Sequence, residues 1–237
     1  MATVRLTMSQ ALTRWMTAQS IEQLDGSIEP AFAGVWAIFG HGNVAGLGEA
    51  LYGVRDQLPT YRGHNEQSMA HIAIAYAKQK QRRRMMAVTT SIGPGATNLA
   101  TAAALAHVNR LPVLLLPGDV FATRAPDPVL QQVESFADGT VSANDCLRPI
   151  SRYFDRITRP EQLLQALPKA MSVLTDPADC GPVTLGLCQD VQAEAWDYPE
   201  SFFAPRVWHM RRISSDAAEL SRAIEILKSC LLYTSPS

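Results

Sequence analysis

Net charge is almost absent from this chain: 21 Lys and Arg stand against 22 Asp and Glu, a formal charge of −1. That excludes a global electrostatic case for nucleic acid or an anionic membrane surface. The single basic run, Lys80 to Arg84 (KQRRR), closes a helical pattern ahead of an apolar strand. It reads first as a solvated helix end and second as a phosphate or partner contact. Cysteine is scarce too. Cys146, Cys180, Cys188 and Cys230 show neither CxxC pairing nor metal-ligand spacing. They give no case for a zinc site or a disulfide framework, and fit free thiols in a reducing compartment. The N-terminus, MATVRLTMSQAL, lacks the apolar core of a signal peptide, and no apolar run is long enough to span a bilayer. Repeats and low-complexity tracts are lacking as well. The expected setting is the cytoplasm, with neither nucleic acid nor membrane as partner.

What is present is a globular composition, 47% hydrophobic and 18% charged over 237 residues. That suffices for one large domain, or one domain and the start of another. Thr7 and Gln10 have capping-box spacing ahead of an apolar stripe of Ala11, Leu12, Trp15 and Met16, which predicts a helix. Residues 20–34 read as loop. Val35 to Phe39 reads as a strand buried on both faces, and a helix is expected from about Gly46 to Gln57. Glu66 opens a second helix with Met69, Ile72, Ala73, Tyr76 and Ala77 on one face. Met85 to Ser91 is the next strand, Gly93–Pro94–Gly95 a turn, and Asn98 to His107 an Ala-rich helix. Pro112 to Pro117 and Val183 to Cys188 are further strands. Between them, Thr158 and Glu161 have capping-box spacing before Leu163, Leu164, Leu167, Met171 and Leu174.

Strands alternating with helices at these lengths predict an α/β fold, a mainly parallel sheet with helices on both faces. Ligands of such sheets bind beyond the carboxyl ends of the strands. Those ends are Gly40–Asn43, Gly93–Asn98 and Gly118–Arg124. Residues 1–195 form the expected domain and 196–212 a linker; the amphipathic stretch within 213–229 opens a second, truncated domain. Residues 230–237 (CLLYTSPS) continue no pattern and resemble translated adaptor sequence rather than native chain.

Four segments, in this order and spacing, resemble the pyrimidine-binding domain of the acetolactate-synthase-like thiamine-diphosphate enzymes. They are Asn65–Glu66–Gln67 with SMAHIAIAYAK, TTSIGPGATN at 89–98, PVLLLPGD at 112–119 and GPVTLGLCQDV at 181–191. Within that superfamily, IFGHGNVAGLGEAL (38–51), the 65–67 helix start, FATRAPDPVLQQ (121–132) and RPISRYFDRITRPEQL (148–163) are most similar to the trihydroxycyclohexane-dione hydrolase family of inositol catabolism. The resemblance implies thiamine diphosphate as cofactor and hydrolytic cleavage of a carbon–carbon bond in a cyclic dione. The alternatives are a carboligase or decarboxylase on the same scaffold, or a non-catalytic module that keeps the cofactor domain.

The resemblance also assigns residues. The family's glutamate bonds a ring nitrogen of the cofactor's aminopyrimidine and so helps remove the thiazolium proton; Glu66 occupies the matching position. On the residues alone, a carboxylate opening a helix is more commonly a helix-capping group. The helix dipole favours the charged form there by roughly 0.3–1 kcal/mol, whereas desolvation against a ring favours the neutral acid. Gly93, Pro94, Gly95 and Asn98 form the loop beside the cofactor in the family; by themselves they are an ordinary strand-to-helix turn. Gly40–His41–Gly42–Asn43, with Gly46 and Gly48, is a loose dinucleotide fingerprint, but no acidic residue closes the next strand. In the family reading Gly42 and Asn43 line the active site, and His41 orients substrate or moves protons. Gln131 matches a glutamine that reaches the site, with Gln132 as the alternative. His64, His71, Arg124 and Asp127 are weaker candidates.

The resemblance further implies that Mg²⁺ and the diphosphate are held through a GDG-type motif of a later domain, and this chain contains no such motif. It implies an active site between two subunits as well. The expected partners are a second copy of the full-length subunit, in a homodimer or tetramer, and a small-molecule substrate. The chain by itself is expected to hold half a site.

Overall fold

The computed structural model describes residues 2–135, 137–211 and 214–229. In chain order the elements are β1 (Thr3–Thr7), α1 (Met8–Thr17), β2 (Gln19–Glu22), β3 (Ile28–Pro30), β4 (Phe32–Ala37), α2 (Glu49–Gly53), β5 (Thr60–Arg62), α3 (Glu66–Gln79), β6 (Met85–Thr90), α4 (Pro94–Thr97), α5 (Ala100–Asn109), β7 (Val113–Asp119), β8 (Tyr153–Ile157), α6 (Leu163–Leu174), β9 (Pro182–Cys188), β10 (Ala195–Pro199), β11 (Arg206–Trp208) and α7 (Ala217–Ser229).

Six strands form one sheet in the order β5-β4-β6-β7-β9-β8, and every pairing in it is parallel. The four strands read from the sequence, β4, β6, β7 and β9, are its four consecutive inner members. All residues of β6, β7 and β9 are buried, because alternate side chains serve opposite cores. Met85, Ala87, Leu114 and Leu116 pack with α1 and α6 on one face. Met86, Val88, Val113 and Leu115 pack with α3 and α5 on the other. Two covered faces explain why these strands read as continuous apolar runs.

Local signals hold where side chain and backbone cap one another within a few residues. Thr7 Oγ1 accepts from Gln10 N at 3.2 Å and Gln10 Oε1 accepts from Thr7 N at 3.0 Å, the reciprocal box that starts α1. Ahead of α6 the capping group is Gln162 rather than Glu161. Its Oε1 accepts from Thr158 N at 2.6 Å and Arg159 N at 2.8 Å, one residue later than the spacing predicted. The helix expected over 46–57 is a wide π turn at Val44–Gly48 followed by the short α2. The helix expected from Asn98 begins at Ala100, after the single turn of α4. On α3, Ala70 and Ile74 are buried and Ile72 is 46% exposed; packing against β6 and α5 turns the predicted face by one position.

Residues 20–34, read as loop, hold most of β2 and all of β3, paired antiparallel, and the first residues of β4. The stretch 196–212, expected as a linker, packs on the domain over residues 196–208. There β10 pairs antiparallel with β1, and β11 pairs parallel with β2. Tyr198 is fully buried, stands 4.8 Å from Trp196 in an edge contact and donates its hydroxyl to Pro160 O at 3.0 Å. In the basic run, Arg83 donates to Glu22 O at 2.9 Å and Arg84 pairs with Glu29 at 3.2 Å, while Arg82 reaches Pro177 O at 3.4 Å. That run fastens the α3–β6 turn to its neighbours. Helix α7 buries none of its residues, and 230–237 lie outside the described residues. Among the described residues, no helix is long and apolar enough to cross a membrane.

Candidate active site

The loops beyond the carboxyl ends of β4, β5, β6 and β7 carry the predicted site residues. Asn65 caps α3 by accepting from Ser68 N at 2.9 Å, which places Glu66 at the first helical position. Its carboxylate is therefore not the helix cap; the neighbouring Asn65 does that work. Instead, Glu66 Oε2 accepts from Asn98 Nδ2 at 2.9 Å, across 32 residues of sequence. A Cβ built on Gly95 would lie 3.2 Å from Glu66 Oε1, tighter than ordinary packing. The structure thus joins Glu66, Gly95 and Asn98. Glu66, Gly95 and Asn98 are each part-buried, and Pro94, at the first position of α4, is exposed.

Gly93 enables the turn that brings them together. Its φ of 59° and ψ of −120° lie in a region that L side chains avoid, and a Cβ would collide with the Gln131 carbonyl. Gly93→Ala is expected to lower stability by about 1–3 kcal/mol and to push the 121–141 loop away from β6. Urea unfolding of the variant checks this; an unchanged midpoint would show that the turn tolerates a side chain.

The glycine loop after β4 is fixed by polar keystones. Asn43 is buried and its amide donates to Ile38 O and Thr89 Oγ1, each at 3.1 Å, while its Oδ1 accepts from Gly40 N at 2.9 Å. Gln192, also buried, donates to Gly42 O at 2.6 Å and Leu187 O at 3.0 Å and accepts from Leu47 N at 3.2 Å. Gly42 is buried beneath Ile92 and Ser91. His41 Nδ1 lies 3.1 Å from Gln189 Oε1, and its Nε2 is buried with no polar partner among the described residues. As placed, that nitrogen faces no bulk solvent.

Gln131 and Gln132 separate cleanly. Gln131 takes a positive φ of 62° and its Oε1 accepts from Ser91 Oγ at 3.4 Å, between Gly40 and Gly93. Gln132 turns back on its own loop, donating to Asp127 Oδ1 at 2.7 Å. Arg124 also stays local, donating to Val141 O at 2.9 Å. His64 is exposed, and His71 meets Gln67 at 3.3 Å on the helix surface.

Sequence reasoning missed a buried polar cluster under the 121–150 segment. Asp119, closing β7, accepts from Ser142 Oγ at 2.9 Å, from Val120 N at 2.8 Å and from Arg156 Nε at 2.9 Å. Burial would lower the Arg156 pKa, but the Asp119 carboxylate outweighs it and the guanidinium is held above its usual value. Burial first, and Asp119 second, push the Cys188 thiol up to about 12, so it is neutral and unreactive. Among the described residues Cys146, Cys180 and Cys188 are free, and no group of three His, Cys, Asp or Glu side chains is placed to hold a metal.

Residues 33–138 match the family described as thiamine pyrophosphate enzyme, N-terminal TPP binding domain. These residues belong to that family. The pyrimidine-domain fold expected from the sequence is therefore the fold found, with its six parallel strands and two helical layers. The chain is 53% identical, over 229 residues and 97% of its length, to the 3D-(3,5/4)-trihydroxycyclohexane-1,2-dione hydrolase of Geobacillus thermodenitrificans. It is likewise 53% identical over 228 residues to hydrolase 1 of that name from Bacillus cereus. It spans 36% and 35% of the lengths of those two relatives. The residues of the thiamine pyrophosphate domain fit the cofactor they imply: Glu66 keeps one oxygen free of Asn98, and Gly95 leaves bare the space a Cβ would fill beside it.

Proposed function

We propose that the chain is the N-terminal, pyrimidine-binding part of a thiamine-diphosphate-dependent hydrolase that opens a cyclic trihydroxy dione in inositol catabolism. The observation that carries this reading is the Glu66–Asn98–Gly95 arrangement, in a chain 53% identical to proteins named as that hydrolase. When bound, thiamine diphosphate supplies a thiazolium carbon that attacks a carbonyl once it has lost its proton. Glu66 Oε1 holds and returns a proton at the pyrimidine ring nitrogen. Gly93 and Gly95 let the loop backbone approach a flat ring, and Pro94 stiffens the turn. Gln131 borders the substrate side, and the buried Gly42 and Asn43 set the course of the loop behind it. His41 reaches a substrate oxygen only if its ring leaves Gln189.

Mg²⁺ and the diphosphate belong, in this proposal, to a later domain of a second copy of the full-length subunit. That copy also covers Glu66 and completes the desolvation its chemistry needs. A cytoplasmic setting goes with this reading. The test is to load the full-length protein with thiamine diphosphate and Mg²⁺ and supply 3D-(3,5/4)-trihydroxycyclohexane-1,2-dione. The expected product is an open-chain acid carrying one added water. Turnover of pyruvate to a carboligation or decarboxylation product, with the dione untouched, would replace the hydrolase by the alternative on the same scaffold.

A further inference from the structure

We infer that Asn98 is a positioning residue: its amide holds Glu66 by one carboxylate oxygen, so that the other, over Gly95, is the oxygen offered to the cofactor's pyrimidine. The inference rests on the function proposed above and assigns Asn98 no contact with the cofactor itself.

The geometry carries it in three steps. Asn98 Nδ2 lies 2.9 Å from Glu66 Oε2. A carboxylate only accepts, so the amide nitrogen is the half of Asn98 that must face it. Among the described residues, Asn98 is the one side chain that bonds this carboxylate. The terminal torsion of a free glutamate is broad and nearly two-fold; a hydrogen bond to one oxygen removes that freedom and, being charge-assisted, is among the stronger kind. Gly95 supplies the complement. Any side chain there would begin 3.2 Å from Oε1 and crowd the oxygen that Asn98 leaves free. The backbone serves the same end. The single turn of α4 starts at the Gly93 bend, and Asn98 N donates to Pro94 O at 3.1 Å, which aims the Asn98 side chain at the start of α3. A merely local asparagine would bond its own turn; this one reaches a different helix.

Two variants of the full-length protein, Asn98→Ala and Asn98→Asp, test the role. Asp keeps the shape but replaces the donor by a like charge. With thiamine diphosphate bound, proton exchange at the thiazolium carbon should slow roughly 10- to 100-fold in N98A, the equivalent of losing one hydrogen bond to a charged group, and further in N98D. Cofactor affinity should change little. A packing role would instead spare the isosteric N98D. A second readout needs no cofactor: in the 237-residue chain, labelled with ¹⁵N at asparagine, the Asn98 side-chain amide signals should move in Glu66→Ala. Exchange left at the wild-type rate in both Asn98 variants, while Glu66→Gln slows it, would overturn this role and leave the proposed function standing. Asn98 amide signals unmoved by Glu66→Ala would overturn it as well. Exchange unaffected by Glu66→Gln would remove the proposed function and this inference with it.

Discussion

Glu66→Gln in the full-length protein should slow proton exchange at the thiazolium carbon, and turnover with it, by roughly 10²–10⁴, the usual worth of a positioned acid–base group. Glutamine keeps the length of the side chain and a carbonyl oxygen, and Asn98 can still donate to that oxygen as it does at 2.9 Å to Glu66 Oε2. What is lost is the proton that Oε1 holds for the ring nitrogen. Stability should hardly move, because Asn65 rather than Glu66 caps α3. Had Glu66 been the cap, its loss would cost about 1 kcal/mol and leave catalysis near normal. Cofactor affinity should change far less than rate, since in the proposed enzyme the diphosphate and Mg²⁺ contacts lie in another domain. Exchange at the wild-type rate in this variant would take Glu66 out of the mechanism. An equal fall in affinity and rate would make it a binding group instead.

The legible parts of the fold were those written in short-range or uniform signals. β4, β6, β7 and β9 carry runs of mostly apolar residues because both sheet faces are covered, and such runs stand out in one dimension. The Thr7–Gln10 box lies within a single turn. By contrast β1 pairs with β10 nearly two hundred residues away, Thr3 opposite Pro199, and each strand's alternation, Val4 and Leu6 or Trp196 and Tyr198, is only five residues long. β5 and β8 are the sheet's edge strands, short and partly exposed, so their burial alternation is too weak to read. The site divides in the same way. Glu66, the Gly93–Gly95 turn and Asn98 were found through a family resemblance that spans the whole domain. Asp119, Arg156 and Gln189 were seen only as members of longer motifs, and Ser142 and Gln192 gave no signal. Each is a common polar residue whose partner is set by tertiary contact, and only the buried ends of the hydrogen bonds reveal it. Gln131 was matched by resemblance, but its separation from Gln132 required the positive φ that turns one toward Ser91 and the other toward Asp127.

Asp119→Ala should destabilise the chain by about 3–5 kcal/mol, the cost of breaking a buried ion pair from one side, against a total of about 5–15 kcal/mol for a typical domain. The Asp119 side chain is 0% exposed and that of Arg156 22% exposed. Removing the carboxylate leaves the guanidinium with little water to replace it. It also strips the acceptor from Ser142 Oγ and Val120 N. Ser142 starts the 3₁₀ segment Ala143–Ile150 and accepts from Asn144 N at 3.1 Å, so the loss should spread into the loop that carries Gln131. Urea unfolding measures the shift. Site-resolved alkylation provides a second reading, because Cys188, closing β9 beside this pair, is kept neutral by burial and by the Asp119 charge. Loosening the segment and removing the neighbouring negative charge act in the same direction, so a thiol reagent should reach and alkylate Cys188 faster. The double variant Asp119→Leu with Arg156→Met decides what the pair is for. If the ion pair serves only to satisfy itself, an apolar replacement of both members should restore most of the stability. Recovery of the unfolding midpoint together with fast amide hydrogen exchange across 142–150 would mean that the carboxylate anchors that segment through Ser142, a task that no apolar side chain can take over.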